Sequence, residues 1–413
     1  MNKLVTDVLV AGGGPAGMSA AVAASSDRDT KVTVVDDNPN LGGQIWRAEM
    51  GTIESSEARQ LLARLDLDRI TIINNAAVFS ASTGSVLGET PSGRIEIEYR
   101  SMIIATGARE RFIPFPGWTL PNVFGAAGLQ ALVKGGFDVR DKRIVVAGTG
   151  PLLLVVAEYL ASKGAHVAAL CEQTSNRKYD RFALGLLRKP SKIAQGISLR
   201  GKLRRIPYFK NSWISAAHGT SELQSVTVER FGTTIEMDCD MLACGYHLVP
   251  NIELAQAAGC DVVNGYVAVD KHQETSIPGI FCAGEPTGIG GVDAALIEGK
   301  IAGFSATGQF DEAYALLRKK KKTTAFTMAL DQAFELRDEL KALASNSTVV
   351  CRCEDVQYGK LREYDDFRTA KLQTRCGMGS CQGRVCGAAV EFLFGWKDRS
   401  VRSPIFPVKM ENL

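Results

Sequence analysis

Five of the ten cysteines of this 413-residue chain fall within one 36-residue stretch, and their spacing could hold a metal centre. Cys351 and Cys353 form a C-x-C pair, and Cys376, Cys381 and Cys386 follow with four residues between neighbouring cysteines. Glycines accompany the later three, and they let backbone N–H groups turn toward the inorganic sulfides of an iron–sulfur cluster. Structural zinc sites usually take C-x(2–4)-C pairs, and C-x-C is tight for two corners of one tetrahedron. The pattern therefore favours a [2Fe–2S] cluster, with zinc and a metal-free module as the alternatives.

A second chemical signal is a glycine turn near the N-terminus. An apolar strand leads into the turn GGGPAG (residues 12–17) and then into the helix-forming run MSAAVAAS. In such a unit Gly12 permits the turn, Gly14 lets the backbone approach a pyrophosphate, and Gly17 lets the helix pack on the strand. The next strand ends at Asp36, which is placed to accept hydrogen bonds from a ribose. Strand, turn, helix, strand and acid together predict a dinucleotide-binding fold.

Three further motifs indicate which dinucleotide is bound. Two glycines follow Asp36 at positions 42 and 43, a strand ends in ATG (residues 105–107), and the segment TSIPGIFCAGE ends at Glu285. In this order they resemble the FAD-binding signatures of glutathione-reductase-like flavoproteins, over roughly residues 5–305. In that family the acid matching Glu285 binds a ribityl hydroxyl, and the N-terminus of the following helix faces the flavin ring carbonyls. The resemblance implies FAD held by Gly12, Gly14, Pro15, Ala16, Gly17, Asp36, Asp37, Gly43, Gln44, Ala105, Thr106, Gly107, Gly284, Glu285, Gly291 and Val292.

Between the two halves of this fold lies a second strand–turn–helix–strand unit. Its turn reads GTGPLL (residues 148–153), and its last strand leads to Glu172. The resembling family places an NAD(P)H domain here, but Leu153 replaces the third glycine and would hold the helix further from the strand. Gly148, Gly150 and Glu172 are the candidate contacts. NAD(H), a mononucleotide such as ATP or AMP, and an empty domain are all retained.

Residues that would act directly on a substrate are not apparent in the sequence. No C-x-x-C dithiol accompanies the flavin motifs, which argues against disulfide exchange. The histidines are isolated, and none belongs to a metal-ligand or nucleophile–base pattern, so no catalytic residue is assigned. The basic stretch 181–210 is expected to be solvated, with docking of an acidic partner or of nucleotide phosphates as the alternative. The run RKKKK (residues 318–322) is expected to be a solvated linker.

Composition supports an ordinary globular protein, with 45% hydrophobic residues, 23% charged residues and a net charge of +3. The charge gives no reason to invoke nucleic acid, and no apolar run reaches the roughly 18 residues of a transmembrane helix. The N-terminus lacks the pattern of a signal peptide, so we expect a cytoplasmic α/β protein with reduced cysteines. A peripheral, electrostatic membrane contact is the alternative. The predicted organisation is a split FAD-binding domain (1–110 and 250–310), a second nucleotide-binding domain (111–249), a helical linker (311–345) and a [2Fe–2S] domain with a C-terminal tail (346–413).

The cysteine segment resembles the bacterioferritin-associated-ferredoxin-like [2Fe–2S] domain that is appended to some flavoprotein dehydrogenases. The pattern of that domain is C-x-C, then a glycine turn that leads into C-Q-G-x-x-C. Carried over residue by residue, it implies Cys351, Cys353, Cys381 and Cys386 as cluster ligands and leaves Cys376 as the extra cysteine. Spacing alone does not exclude a pairing of Cys376 with Cys381.

Together with the run GGQIWR (residues 42–47), this combination resembles the larger, FAD-containing chain of multi-subunit amine dehydrogenases over nearly the whole sequence. That group includes the A chain of opine oxidase, components of D-hydroxyproline and dye-linked L-proline dehydrogenases, and the B chain of hydrogen cyanide synthase. The resemblance implies an oxidoreductase component that receives electrons from a D-amino-acid-oxidase-like flavoprotein β subunit, on which the C–N bond is oxidised. A small ferredoxin-like γ subunit is a further candidate partner. The alternatives are a self-contained NAD(P)H-dependent reductase that passes electrons through the cluster, and a non-enzymatic platform that binds ATP or AMP.

Overall fold

The computed structural model describes residues 2–46, 55–65, 68–185, 190–397 and 401–413. The chain divides into two compact units. The first comprises Met1–Arg109, Pro250–Thr327 and Ser400–Leu413, and the second comprises Glu110–Val249 and Met328–Arg399. Arg47, the last residue of the GGQIWR run, and residues 186–189 of the basic stretch lie outside the described residues.

The described elements follow the two strand–turn–helix units that the sequence predicts. The strands are β1 (Asn2–Ala11), β2 (Val32–Val35), β3 (Ile70–Ile73), β4 (Ala77–Ser82), β5 (Ser85–Thr90), β6 (Gly93–Ile104), β7 (Ala108–Glu110), β8 (Val123–Gly125), β9 (Arg143–Gly148), β10 (His166–Glu172), β11 (Tyr208–Lys210), β12 (Ser212–His218), β13 (Ser225–Arg230), β14 (Thr233–Asp238), β15 (Met241–Gly245), β16 (Leu248–Pro250), β17 (Val262–Val263), β18 (Tyr266–Val267), β19 (Ile280–Cys282), β20 (Val349–Cys351) and β21 (Val356–Gln357). The helices are α1 (Pro15–Ala24), α2 (Gly43–Trp46), α3 (Ser56–Leu62), α4 (Ala126–Lys134), α5 (Leu152–Ser162), α6 (Asn176–Gly185), α7 (Pro190–Lys202), α8 (Glu253–Ala257), α9 (Gly291–Ala306), α10 (Phe310–Ala333), α11 (Tyr358–Leu361), α12 (Phe367–Thr374) and α13 (Cys386–Phe394).

The first unit is built on a seven-stranded sheet in the order β3-β2-β1-β6-β5-β4, with β19 also paired to β6. Strands β1, β2, β3 and β19 run parallel to their neighbours, whereas β4 and β5 form an antiparallel hairpin that continues onto β6. The middle of β1 is apolar without alternation, and Val8, Leu9 and Val10 are all buried. Such a run is typical of a parallel strand whose sheet is covered on both faces.

Helices α1 and α9 pack against each other by backbone approach. A Cβ atom at Gly299 would lie 2.1 Å from the carbonyl oxygen of Ala16, and one at Gly303 would lie 2.3 Å from that of Ala20. The Ser19 hydroxyl also donates to the carbonyl of Leu296 at 2.8 Å. The small residues of both helices thus let the middle of α9 lie directly against α1.

The second unit contains a five-stranded parallel sheet in the order β11-β10-β9-β15-β8 and a three-stranded antiparallel sheet in the order β12-β13-β14. The β20–β21 hairpin and helices α11, α12 and α13 surround a small core that includes Val350, Leu361 and Phe367. The indole N–H of Trp118 donates to the carbonyl of Val349 at 2.6 Å. The cysteine segment is therefore hydrogen-bonded to the nucleotide-type fold of its own unit.

Candidate functional site

The first glycine turn leaves the start of α1 open to a ligand. Gly14 is the N-cap residue of α1, and no side chain caps the helix there. A Cβ atom at Gly17 would lie 1.8 Å from the carbonyl oxygen of Gly12, so only glycine permits this approach of helix to turn. Because α1 follows with Pro15 and Ala16 in its first turn, its uncapped N–H groups and positive dipole end suit a phosphate group.

The acid after β2 is held in place by the same turn. Asp36 is buried, and its carboxylate accepts the backbone N–H of Gly13 at 2.5 Å and both the backbone and side-chain N–H groups of Asn38 at 2.8 Å. The neighbouring Asp37 is exposed and accepts the Asn38 side-chain amide at 2.7 Å. Asp36 is thus fixed beside the glycine turn, which is the position that a ribose-binding acid takes in such folds.

The Gly-Gly pair after the acid folds back onto the glycine turn. The N–H of Gly42 donates to the carbonyl of Gly13 at 2.8 Å. A Cβ atom at Gly43 would lie 3.0 Å from the Cα of Gly14. Gln44, in the short helix α2, is exposed. Sequence-distant glycines therefore line one continuous turn surface.

The residues that follow β6 are held by hydrogen bonds within the same unit. The N–H of Ala105 donates to the carbonyl of Ala11 at 2.8 Å. The Thr106 hydroxyl donates to the carbonyl of Asn251 at 2.6 Å, and the Asn251 side chain returns a bond to the Thr106 carbonyl at 2.9 Å. Gly107 follows with a positive φ of 67°. The chain leaves the first sheet here through a hydrogen-bonded turn.

The last predicted motif lies next to the start of α1. A Cβ atom at Gly284 would lie 2.8 Å from the Cβ of Ala16. The Glu285 carboxylate accepts the N–H of Gly291, the first residue of α9, at 3.1 Å, and the N-cap residue Gly290 has no side chain to add a second bond. Val292 packs against the core of this unit. The uncapped start of α1, the buried acid Asp36 and the glycine cradle fit an extended dinucleotide such as FAD.

A buried charged group supports this motif, and sequence reasoning missed it. Glu298 is buried in α9, and its carboxylate accepts the N–H of Gly284 at 3.0 Å and the Thr287 hydroxyl at 2.9 Å. Burial raises the pKa of Glu298, and the positive charge of Lys320 opposes that shift. The Lys320 ammonium donates to the Gln273 side chain, and burial lowers the pKa of Lys320.

The expected solvated linker at residues 318–322 is therefore wrong for Lys320. This lysine lies within helix α10 and its ammonium is drawn into the first unit, because a buried carboxylate stabilises a nearby cation. The sequence did contain a signal that Glu298 is a buried acid. Glu298 lies one turn from Ala294 and Ala302 on a small-residue helix face, where an acid is unusual.

In the second unit, the predicted nucleotide contacts lie together at the ends of β9 and β10. Gly148 ends β9, and Glu172 ends β10 fully buried. The Glu172 carboxylate accepts the N–H of Gly150 at 2.7 Å, the N–H of Thr174 at 2.9 Å and the Thr149 hydroxyl at 3.1 Å. Burial raises the pKa of Glu172. Leu153, in place of the third glycine, is buried in the core of this unit.

Residues 333–337, which we name the closing segment, cover this second turn. The carbonyl of Phe334 accepts the Thr149 hydroxyl at 3.2 Å and the Nε2–H of His247 at 2.8 Å. The Gln173 side chain donates to the carbonyl of Glu335 at 3.1 Å. Nucleotide ligands of such folds lie beyond the carboxyl ends of the strands, which is where the closing segment is hydrogen-bonded.

The closing segment is also anchored by its side chains. Phe334 is buried, with its ring 5.1 Å from that of Phe182. The Arg337 guanidinium lies 4.5 Å from the centre of the Trp213 ring and donates to the Asn211 side chain. The segment therefore packs as part of the second unit, beside the turn that carries Thr149 and Glu172.

Three of the clustered cysteines form a compact buried group, which we name the thiol triad. The Sγ atoms of Cys351, Cys376 and Cys386 all lie within 4.8 Å of one another, and all three residues are buried. The thiols of Cys376 and Cys386 both donate to the Cys351 sulfur and lower the pKa of Cys351 to about 2, and the effect of Cys376 is the larger. In return, the same contact raises the pKa of Cys376 to about 12. The three thiols approach one another without forming a disulfide, and such a set of sulfur donors could hold a metal.

The remaining two cysteines meet nearer the surface. The backbone N–H of Cys381 points at the Cys353 sulfur and lowers the pKa of Cys353. The Ser380 hydroxyl approaches the same sulfur at 3.7 Å. Cys353 is exposed and Cys381 is half-buried. Of the four ligands that the sequence implies, the structure thus brings together Cys351 with Cys386, and Cys353 with Cys381, while Cys376 joins the first pair.

Comparison with known proteins agrees with this arrangement. The family model for pyridine nucleotide-disulphide oxidoreductases matches residues 6–299. The chain is 31% identical to the HcnB chain of hydrogen cyanide synthase from Pseudomonas aeruginosa, over 92% of this chain and 90% of that protein. It is also 31% identical to the A chain of the opine oxidase of Rhizobium meliloti, over 98% of this chain and 87% of that protein.

Solved structures show the same fold. L-proline dehydrogenase from P. horikoshii superposes with a TM-score of 0.73 at 21% identity, over 100% of this chain and 80% of that chain. Thioredoxin reductase from T. acidophilum covers 75% of this chain with a TM-score of 0.56 at 19% identity. The predicted fold class, the oxidoreductase class and the resemblance to amine-dehydrogenase subunits are confirmed. Among the described residues, none of the helices combines the length and apolarity needed to cross a bilayer.

Proposed function

Because the chain belongs to the pyridine nucleotide-disulphide oxidoreductase family, we propose that it is an FAD- and [2Fe–2S]-containing electron-transfer subunit. Its complex would be a multi-subunit dehydrogenase that oxidises the C–N bond of an opine, of proline or hydroxyproline, or of a related amino acid. The amine would bind on a partner flavoprotein of the D-amino-acid-oxidase type, with a small ferredoxin-like chain as a further subunit. The curated relatives support this proposal, because both are named as subunits of larger enzymes.

The observation that carries the proposal is the closing segment over the second nucleotide turn. A self-contained reductase must admit NAD(P)H at this turn, where Thr149 and Gln173 instead bond the carbonyls of Phe334 and Glu335. We propose that neither NAD(P)H nor ATP or AMP enters here, and that electrons come from a partner. The absence of a histidine or dithiol assigned to substrate chemistry agrees with this relay role.

The chain's own residues would divide the work of holding the flavin. The uncapped start of α1 at Gly14 would bind the pyrophosphate, and Asp36 would accept hydrogen bonds from the adenosine ribose. Glu285 would bind a ribityl hydroxyl, and the N–H groups that follow Gly291 in the first turn of α9 would face the ring carbonyls and disperse negative charge. A bound flavin takes up electron pairs, whereas a [2Fe–2S] cluster passes electrons singly.

The cysteines fit a [2Fe–2S] cluster by their donor chemistry. Two thiolates are needed at each iron, and the Cys351–Cys386 and Cys353–Cys381 pairs would supply them. Backbone N–H groups of Gly377 and Cys381 point at the Cys351 and Cys353 sulfurs, and such bonds stabilise anionic thiolates. The exposed Cys353 would bring the cluster to the surface, where an electron partner can approach.

The test uses the purified full-length chain, first by itself and then co-purified with its partner flavoprotein. By itself, it should show flavin and cluster absorption, release FAD as its one adenine nucleotide on denaturation, and turn over no amino acid or opine. NADH should not bleach its flavin. With the partner present, adding the amine substrate should produce the reduced-cluster EPR signal. Rapid bleaching by NADH would instead support the self-contained reductase, and stoichiometric ATP, AMP or NAD would show that the closing segment admits a nucleotide.

A further inference from the structure

The thiol triad contains one sulfur more than its iron could bind. In a [2Fe–2S] cluster each iron has two bridging sulfides and therefore takes two protein ligands. Thiolates on one tetrahedral metal, with metal–sulfur bonds of about 2.3 Å, lie about 3.8 Å apart. The sulfurs of Cys351, Cys376 and Cys386 lie within 4.8 Å of one another, so either later cysteine could pair with Cys351 after a small side-chain movement.

The fold brings Cys376 and Cys386 together from opposite ends of one loop. Helix α12 ends at a left-handed Arg375, immediately before Cys376, and α13 begins at Cys386. Between them Gly377 and Gly383 have φ angles of 82° and 79°, and a Cβ atom on either would lie 3.7 Å from the Cα of the other. The loop thus closes on itself through residues that tolerate a left-handed backbone.

The other iron would have no such surplus. The Cys381 N–H and the Ser380 hydroxyl both approach the Cys353 sulfur. A Cβ atom at Gly379 would lie 2.3 Å from the Cβ of Cys353, so the loop packs closely at this pair. Cys353 and Cys381 are consequently a matched pair, and the choice of ligand arises within the triad.

We propose that Cys376 and Cys386 are interchangeable ligands of the iron that is held by Cys351. The inference rests on the proposed [2Fe–2S] cluster, and extends it by giving the extra cysteine a role. Removal of either one alone would leave four thiolates at the site, whereas removal of both would leave three. Ligand redundancy would preserve the cluster when one thiol is lost to oxidation.

The test compares alanine variants of the full-length chain, because a serine oxygen could itself bind iron. The variants are Cys376→Ala, Cys386→Ala and the double variant that combines them. Each is reconstituted with iron and sulfide, and then assayed for iron per chain, visible absorption and the EPR signal after reduction. The flavin content of each variant reports whether the chain has folded.

Both single variants should retain the cluster, with the EPR signal of Cys386→Ala shifted because Cys376 replaces the original ligand. The double variant should lose the cluster completely while it retains flavin. Loss of the cluster in either later-cysteine single variant would overturn the inference, as would its retention in the double variant. A wild-type chain that takes up no iron and sulfide would contradict the proposed function instead. If the double variant also loses its flavin, the two single variants decide the question, because each keeps one of the two cysteines on an otherwise identical background.

Discussion

Lys320 is the most informative single position for the flavin-binding unit. In Lys320→Met the buried Glu298 carboxylate loses its nearby cation but keeps its hydrogen bonds from Gly284 and Thr287. Breaking a direct buried ion pair costs about 3–5 kcal/mol, which is an upper limit for the Coulombic attraction between Lys320 and Glu298. Two effects reduce that cost in Lys320→Met, because Glu298 keeps its hydrogen bonds and the lysine charge no longer has to be buried. We therefore expect the free energy of unfolding to fall by about 2 kcal/mol. For a unit of this size, that lowers the Tm by about 4–8 °C.

The loss should grow with pH. Burial raises the pKa of Glu298 above its unfolded value, so the stability that this group contributes is present at low pH and is lost as the pH rises through the folded pKa. Without Lys320 that folded pKa rises further, because the opposing positive charge is gone. The Tm difference between wild type and Lys320→Met should therefore be larger at about pH 8 than at about pH 5.5. Flavin release should follow the same trend, since Glu298 holds the backbone beside Glu285.

The assay is thermal unfolding of the FAD-loaded chain, followed by flavin fluorescence at both pH values. Lys319→Met is the matched control, because Lys319 is the adjacent, exposed lysine of the same helix. Lys320→Met with Glu298→Gln should lose the pH dependence, since the glutamine does not ionise. An equal effect of both single lysine variants, or a Tm difference independent of pH, would refute the electrostatic reasoning.

Three other substitutions test separate parts of the structure. Gly17→Ala should abolish flavin retention, because its Cβ would lie 1.8 Å from the Gly12 carbonyl oxygen; flavin absorbance per chain measures this, and normal loading would contradict it. Asp36→Asn should raise the Kd for FAD about tenfold, a cost of about 1.4 kcal/mol, since a charged acceptor is lost; fluorescence titration that finds equal affinity would exclude its role. Trp118→Phe should lower the free energy of unfolding of the second unit by about 1 kcal/mol through loss of the bond to the Val349 carbonyl, as urea unfolding can show. An unchanged midpoint there would mean that this bond adds no stability.

The sequence alone was sufficient to identify the fold class and the flavin-type turn. Strand, glycine turn and helix are local patterns, and their chemistry depends on backbone geometry within about 30 residues. Gly17 is an example, because its need for close approach follows from its place in the turn. The oxidoreductase class and the resemblance to amine-dehydrogenase subunits, both confirmed by comparison, likewise rest on ordered motifs. The ligand assignments at the cysteines and the cytoplasmic location stay predictions.

Only the tertiary structure decided which residues distant in sequence are in contact. The sequence predicts Lys320 to be one member of a solvated basic run, whereas in the fold it is buried near Glu298 and the two charges attract each other. Glu172 reads as a ribose ligand, yet Phe334, more than 150 residues later, lies at the same turn. Cys376 is the extra cysteine according to the family resemblance, yet its sulfur lies within 4.8 Å of those of Cys351 and Cys386. Periodicity and spacing report the local backbone, whereas these contacts depend on how the whole chain excludes water and satisfies its buried polar groups.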